Sequence, residues 1–242
     1  MDTPRLSYFS MTPAQSQPQI TISVIIPLAK GEESWQFLYE QLRLLPLNEI
    51  VFCSPDKRPR SLPPEAKTKW ITSNGLRADQ LNEGAGQATG NVLWFLHADS
   101  RLSAQCFELL NQRLEHSPDK LFFFDLGFDA DGPSCMWMNS VGANLRSRLF
   151  KMPFGDQGFC MSKTNWQRLG RFPSHLPYGE DHAFVWLWRK HGLRIERVPA
   201  IITTSARKYQ REGYFKTTWK HFCMTWSQAL PFIFSGKNGA SR

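Results

Sequence analysis

The chain has 242 residues, enough for one large α/β domain and short for two. Hydrophobic residues make up 41%, which excludes wholesale disorder, and 29 Lys and Arg against 21 Asp and Glu give a net charge of +8 that suits an anionic partner. No RNP-like run or zinc-finger spacing accompanies that charge, so no nucleic acid is expected, and five scattered cysteines without C-x-x-C spacing read as reduced thiols of a cytoplasmic protein.

Residues 1–19 are rich in Pro, Ser and Gln, lack the apolar core of a leader and read as a disordered tail. No apolar run reaches the ~18 residues that span a bilayer. Ile20 to Ile26 (ITISVII) is β-branched, ends at Pro27 and predicts a buried strand. From Glu32 to Leu45 the period shifts toward 3.6, with Trp35, Leu38, Leu42 and Leu45 on one helical face. Strands are expected at Glu49 to Cys53 and Lys67 to Thr72, around a proline-rich loop from Pro55 to Pro64. A helix rich in small residues, able to lie close to a sheet, follows from about Ala78 to Thr89.

Asn91 to His97 (NVLWFLH) is the strongest strand pattern. A helix near Ala104 to Glu115 and a strand from Leu121 to Phe128 complete the order β-α-β-β-α-β-α-β. That alternation predicts a largely parallel sheet with helices on both faces and ligands beyond the carboxyl ends of its strands. The second half predicts a helix at Cys135 to Phe150, the turn MPFGDQG, and a short helix from Lys163 to Leu169 capped by Ser162. A helix from Asp181 to His191, ended by Gly192, precedes short strands at Arg194 to Val198 and Ile201 to Thr204.

Leu96-His97-Ala98-Asp99 closes the strongest strand. A carboxylate there can hold a divalent cation beside a diphosphate. His97, two positions earlier, would share a face with Asp99 on an extended chain, and imidazole plus carboxylate suits Mn²⁺ as well as Mg²⁺. Taken alone, a single H-x-D is common by chance, and Asp99 reads as a helix cap and His97 as a hydrogen-bonded strand-end residue. Glu180-Asp181 opens a helix, where acids are favoured by the helix dipole and where one carboxylate could serve as a base. Arg207, Lys208 and Arg211 read as a basic surface loop on their own.

The stretches SVIIP (Ser23 to Pro27), GLRADQLNEGAGQATGNVLWFLHADS, PFGDQGFCMSK, GEDHAF and TTSARKYQREG occur in that order across about residues 20 to 220. Together they resemble successive motifs of the family-two glycosyltransferases, in particular a bacterial subgroup with LHAD, PFGDQG, ED and TSAR motifs. The resemblance implies a GT-A fold, Rossmann-like, with a mixed, mostly parallel central sheet and helices on both faces. It implies one domain over residues 20–234, with a nucleotide-sugar-binding half at 20–128, an acceptor-binding half at 129–234 and a flexible tail at 235–242.

The resemblance also distributes roles. It implies that His97, Ala98 and Asp99 meet the donor diphosphate and a divalent cation, His97 standing where most relatives carry an acid. Pro27 and Glu32 would lie by the nucleotide, and Asp56 would stand for the acid that contacts the base in relatives. Arg77 and Asn82 would join the donor site, and Arg207 would close over the diphosphate. Gly155, Asp156 and Gln157 would form the acceptor-side turn. Asp181 would be the catalytic base, with Glu180 the alternative, giving inversion at the anomeric carbon. The expected enzyme is of the hexosyltransferase type, with a UDP- or GDP-sugar as donor.

The stretch Tyr214 to Phe234 places Phe215, Trp219, Phe222, Trp226 and Leu230 near helical spacing, among Lys216, Lys220 and His221. It either packs on the core or lies on an anionic membrane. On the second reading the protein is peripheral on the inner membrane face and the acceptor is lipid-linked. Two rival functions stand beside the transferase. One is a non-catalytic nucleotide-sugar-binding or membrane-associated scaffold, the other a nucleotidyltransferase. The loop LAKGEE, with one Lys and one Gly, disfavours the latter.

Overall fold

The computed structural model describes residues 19–176, 178–219 and 223. The strands are β1 Ile22–Pro27, β2 Glu49–Ser54, β3 Thr68–Thr72, β4 Val92–Phe95, β5 Arg101–Leu102, β6 Leu121–Phe128, β7 Phe159–Ser162 and β8 Ile195–Thr204. The helices are α1 Trp35–Leu42, α2 Arg77–Gln87, α3 Cys106–His116, α4 Met136–Phe150, α5 Lys163–Leu169, α6 Glu180–Lys190 and α7 Arg207–Glu212. One sheet holds all eight strands in the order β3-β2-β1-β4-β7-β6-β8-β5. β1, β2, β3 and β4 run parallel, as do β6 and β8, while β7 is antiparallel to both its neighbours and β5 to β8.

Every residue of β1 is buried, because both faces of the sheet are covered. Ile22, Val24 and Ile26 face a core that includes α1 and α3, while Ile25 faces a core that includes α2 and α6. β6 divides the same way, with Phe122 and Phe124 on the first side and Phe123 on the second. The small-residue helix α2 does approach the sheet closely. A Cβ at Gly84 would lie 2.7 Å from both Ile25 Cγ2 and Cys53 Sγ.

The expected element order misses the antiparallel strand β7, which enters between β4 and β6. Strands of residues 129–234 therefore share a sheet with those of residues 20–128. The two short strands expected near Arg194 and Ile201 are one strand, β8, with a register shift where Val198 pairs with Phe124 and Ile201 with Asp125. Pro199 lacks an N–H to donate, which accounts for the irregularity there. β5 was not legible as a strand, and the expected basic loop after Ser205 is the short helix α7. Of the C-terminal aromatic helix, residues 214–219 are helical. Apart from residue 223, the rest of that stretch, the expected tail at 235–242 and residues 1–18 lie outside the described residues.

Candidate active site

β4 ends at Phe95, and the chain then turns, with the Ser100 N–H donating to His97 O at 3.1 Å. The expectation that His97 and Asp99 share a face of an extended strand is thereby corrected. The turn sends the two side chains to different neighbours.

His97 Nε2 meets the Nη2 group of Arg77, the first residue of α2. Burial, reinforced by the Arg77 charge, holds the His97 imidazole well below its ordinary pKa, so it is neutral and accepts from the guanidinium. Arg77 Nη1 also stands 3.2 Å from Glu180 Oε1, within ion-pair range but without hydrogen-bond alignment. Burial raises the Glu180 pKa, with Arg77 pulling it down and Asp181 pushing it up.

Asp181 lies beside this pair in the first turn of α6. Its Oδ2 accepts from the Gly155 N–H at 2.6 Å and its Oδ1 from the His182 N–H at 2.8 Å. Each carboxylate oxygen retains a further lone pair, so these bonds orient the group without exhausting it. Arg77, His97, Gly155 and Asp181 line one small pocket of about 10 Å³. Four expected residues, from the donor site, the turn and the base, are thus brought together.

Gly155–Gln157 forms a single 3-10 turn. Gln157 is fully buried and acts as a strut: its Nε2 donates to Phe124 O at 3.0 Å, and its Oε1 accepts from Ser147 Oγ at 2.6 Å. Asp156 has a buried Oδ1 with no hydrogen-bond donor. Burial pushes its pKa up to about 6, partly opposed by the nearby Arg146 and added to by Asp181. Arg146, on α4, lies with its guanidinium carbon 3.7 Å from the Phe154 ring centroid and donates from Nε to Met152 O at 3.0 Å. Sequence reasoning missed Arg146, since helical spacing does not say which basic residue of α4 turns inward.

Asp99 Oδ2 accepts from Thr204 Oγ1 at 2.8 Å and from the Ser205 N–H at 3.2 Å. Asp99 borders a cavity of about 300 Å³ that Glu33, Asp129, Asp131, Arg101 and Arg207 also line. Arg101 pairs with Asp129 at 2.8 Å, and Asp131 accepts from Ser205 Oγ at 2.6 Å and from the Ala206 N–H at 2.7 Å. Burial opposes ionisation of Asp131, but these donors and the Arg207 charge outweigh it and lower its pKa. Glu32, next to Glu33, behaves alike: burial opposes its charge, and Ser34 and Arg207 outweigh that. Asp129 and Asp131 follow β6 as Asp99 follows β4. The strand-end rule that singled out Asp99 also reaches them.

The remaining expected residues are dispersed. Pro27 ends β1 in register with Cys53, and Ala98 is buried in the turn after β4. Asp56 Oδ2 accepts from the Gly31 N–H at 2.6 Å, which ties the loop after β1 to the end of β2. Asn82 spends its amide on the backbone of Phe172, donating at 2.7 Å and accepting at 2.9 Å.

Among the described residues no three His, Cys, Asp or Glu side chains converge as a metal cage. The donor set at Asp99 still fits a hard cation, which binds through one or two carboxylates plus substrate phosphates. At His97 the Nε2 nitrogen is engaged by Arg77, which leaves Nδ1 as its other possible ligand atom.

No protein-family model matches the sequence, and no curated protein matches it. Solved structures match in shape. S. aureus TarS superposes with a TM-score of 0.57 at 14% identity, over 77% of this chain and 37% of that one. The 1–349 fragment of TarS in complex with UDP gives 0.59 at 15% identity, over 77% and 60%. GalNAc-T7 with UDP, GalNAc and Mn²⁺ gives 0.58 at 15% identity, over 77% and 43%. This chain has the GT-A glycosyltransferase fold. It spans less than two thirds of the length of these GT-A structures.

Proposed function

We propose that the protein is a glycosyltransferase that moves a sugar from a nucleotide-sugar donor to an acceptor hydroxyl. The observation that carries this reading is the gathering of Arg77, His97, Gly155 and Asp181 around one pocket, beyond the end of β4 and beside the cavity that Asp99 and Arg207 border. In a GT-A sheet, that is where ligands bind.

Asp181 is the base. Its carboxylate is oriented by two backbone N–H groups and takes the acceptor proton as the hydroxyl attacks the anomeric carbon. Direct attack with one base inverts the anomeric configuration. Glu180 is buried against Arg77 and serves to hold that guanidinium rather than to meet the acceptor. Arg77 and Arg207 supply positive charge toward the leaving diphosphate.

The donor is a UDP-hexose, a choice supported by the shape match to structures solved with UDP and, in one, GalNAc. The Asp99 cavity is lined by Glu33, Asp129 and Asp131 as well, and a diphosphate entering such an acidic space requires a cation beside it. Asp99 would hold that Mn²⁺ or Mg²⁺ with donor phosphate oxygens, and the cation would neutralise leaving-group charge. The free cysteines suit a reducing, cytoplasmic compartment.

Calorimetric titration of UDP, with and without Mn²⁺, tests the reading. The parent chain is expected to bind UDP with Mn²⁺, and Asp99→Ala to lose that metal-dependent binding. Unchanged binding by Asp99→Ala would remove Asp99 from the donor site. Failure of the parent chain to bind any nucleotide sugar would remove the transferase reading itself.

A further inference from the structure

The outer face of α4 is apolar. Trp137, Met138, Val141, Leu145 and Leu149 are each more than half exposed among the described residues. At about 100° per residue they fall within roughly 120° of the helix circumference, where an ordinary surface helix is polar. The helical residues 214–219 adjoin this face: Tyr214 donates from its hydroxyl to Asn139 Oδ1 at 2.8 Å, and Asn139 Nδ2 donates to Thr218 Oγ1 at 3.1 Å. They add exposed Phe215 and Trp219.

A cavity of about 390 Å³ opens along the same helix and shares Met138 and Leu145 with the exposed stripe. Its other walls include Phe128 and Phe154, and it reaches Arg146 and Asp156. That volume lies in the range of ligand sites, ~300 to 1,000 Å³. Gly142 lines it too, and a Cβ there would meet nothing within 4 Å. The surface around it is basic. Neither α4 nor residues 214–219 contain an Asp or Glu; exposed Lys216 lies in that segment and exposed Lys151 follows α4, while Arg148 is ion-paired with Asp125 and Arg146 turns inward.

We propose that the α4 face docks on an anionic bilayer and that the adjoining cavity takes the hydrocarbon part of a lipid acceptor, its hydroxyl turned toward Asp181. The acceptor role rests on the glycosyltransferase reading; the docking does not. A docked protein would cover the stripe, but it would not account for apolar surface continuing into a cavity that ends at charged groups beside the base. Basic charge around an exposed apolar helix face is what anionic lipid attracts. Among the described residues no helix is long and apolar enough to cross a membrane.

Flotation of the full chain with vesicles of phosphatidylglycerol and phosphatidylcholine, against phosphatidylcholine alone, tests the docking. The chain is expected to rise with the anionic vesicles and far less with the neutral ones. Val141→Glu with Leu145→Glu is expected to lower vesicle binding about tenfold or more, because both charges enter the apolar stripe. Absence of flotation would overturn the docking, whether residues 220–234 cover the stripe or a second copy does, the latter read by light scattering. Equal flotation of the double variant would overturn it as well.

Titration of 1-decanol, followed by tryptophan fluorescence, tests the cavity. Gly142→Leu fills that space while improving helix propensity, so it is expected to fold, to float as before and to lose decanol binding. Retained decanol binding by Gly142→Leu would overturn the cavity assignment. UDP titration of the same samples separates the readings: a chain that floats and binds decanol but never UDP keeps its lipid site and loses the transferase function.

Discussion

The Gly155 N–H donates to Asp181 Oδ2 at 2.6 Å, so the turn after α4 and the first turn of α6 are joined at the proposed base. Gly155 has no unusual backbone conformation; what it supplies is room. A Cβ at this position would lie 2.8 Å from Arg77 Nη2, 3.0 Å from Asp181 Oδ2 and 3.2 Å from His97 Nε2. Gly155→Ala is therefore expected to fold, since side-chain ends can yield, at a cost of about 1–3 kcal/mol. Displacing the base should lower turnover by about 100-fold, with a smaller loss of UDP affinity because Arg77 is pushed as well. Wild-type turnover in this variant would mean that the turn does not position Asp181.

Asp181→Asn keeps the acceptor oxygen for one backbone bond and removes the basic group. Turnover should fall by roughly 10²–10⁴-fold with UDP binding retained. Glu180→Gln separates the two carboxylates. It should weaken the hold on Arg77 and raise the donor KM more than it lowers kcat. The reverse ranking of kcat losses would transfer the base to Glu180.

Asp156 carries a cost in stability. Its pKa of about 6 in the fold lies above the ordinary 3.8, so the fold binds its proton more tightly than the unfolded chain does. Stability from this group is present below about 3.8 and is lost as pH rises through about 6. Asp156→Asn should accordingly stabilise the protein by roughly 2–3 kcal/mol at pH 7 and by little near pH 4. Such a gain at a site residue is expected to accompany slower turnover. Chemical denaturation at the two pH values checks it, and a gain independent of pH would mean that burial of Asp156 is not its source.

The sheet was legible because β1, β4 and β6 are apolar on both faces, which only a doubly covered sheet requires. Of the proposed site, the sequence singled out Arg77, Asp99, Gly155 and Asp181, each beside an element boundary. The period-two inference linking His97 to Asp99 failed because the ladder ends with the Leu96 N–H donating to Ile25 O, and the chain turns from His97 onward. Gln157 looked available to a ligand in a glycine-flanked turn. Instead the backbone oxygen of Phe124 and the hydroxyl of Ser147 engage its amide inside the protein. Those partners are distant in sequence or on another element, and local pattern carries no trace of them. The antiparallel insertion of β7 escaped for the same reason.

Glu49, at the start of β2, governs the acid limit of the fold. Its Oε1 accepts from Ser23 Oγ and Thr89 Oγ1, both at 2.7 Å, and Lys69 Nζ lies 2.6 Å from Oε2. Burial opposes its charge, but Lys69, Thr89 and Ser23 outweigh burial and lower the pKa from 4.5 to about 2. The fold therefore binds this proton more weakly than the unfolded chain does. Stability from Glu49 is present above about pH 4.5 and is lost as pH falls toward 2. Glu49→Gln should cost at most about 3 kcal/mol at pH 7, and less than half of that by about pH 3. Urea melts of both proteins across this range measure the difference. A cost that stays constant down to pH 3 would assign the loss to packing of the amide rather than to the charge and its partners.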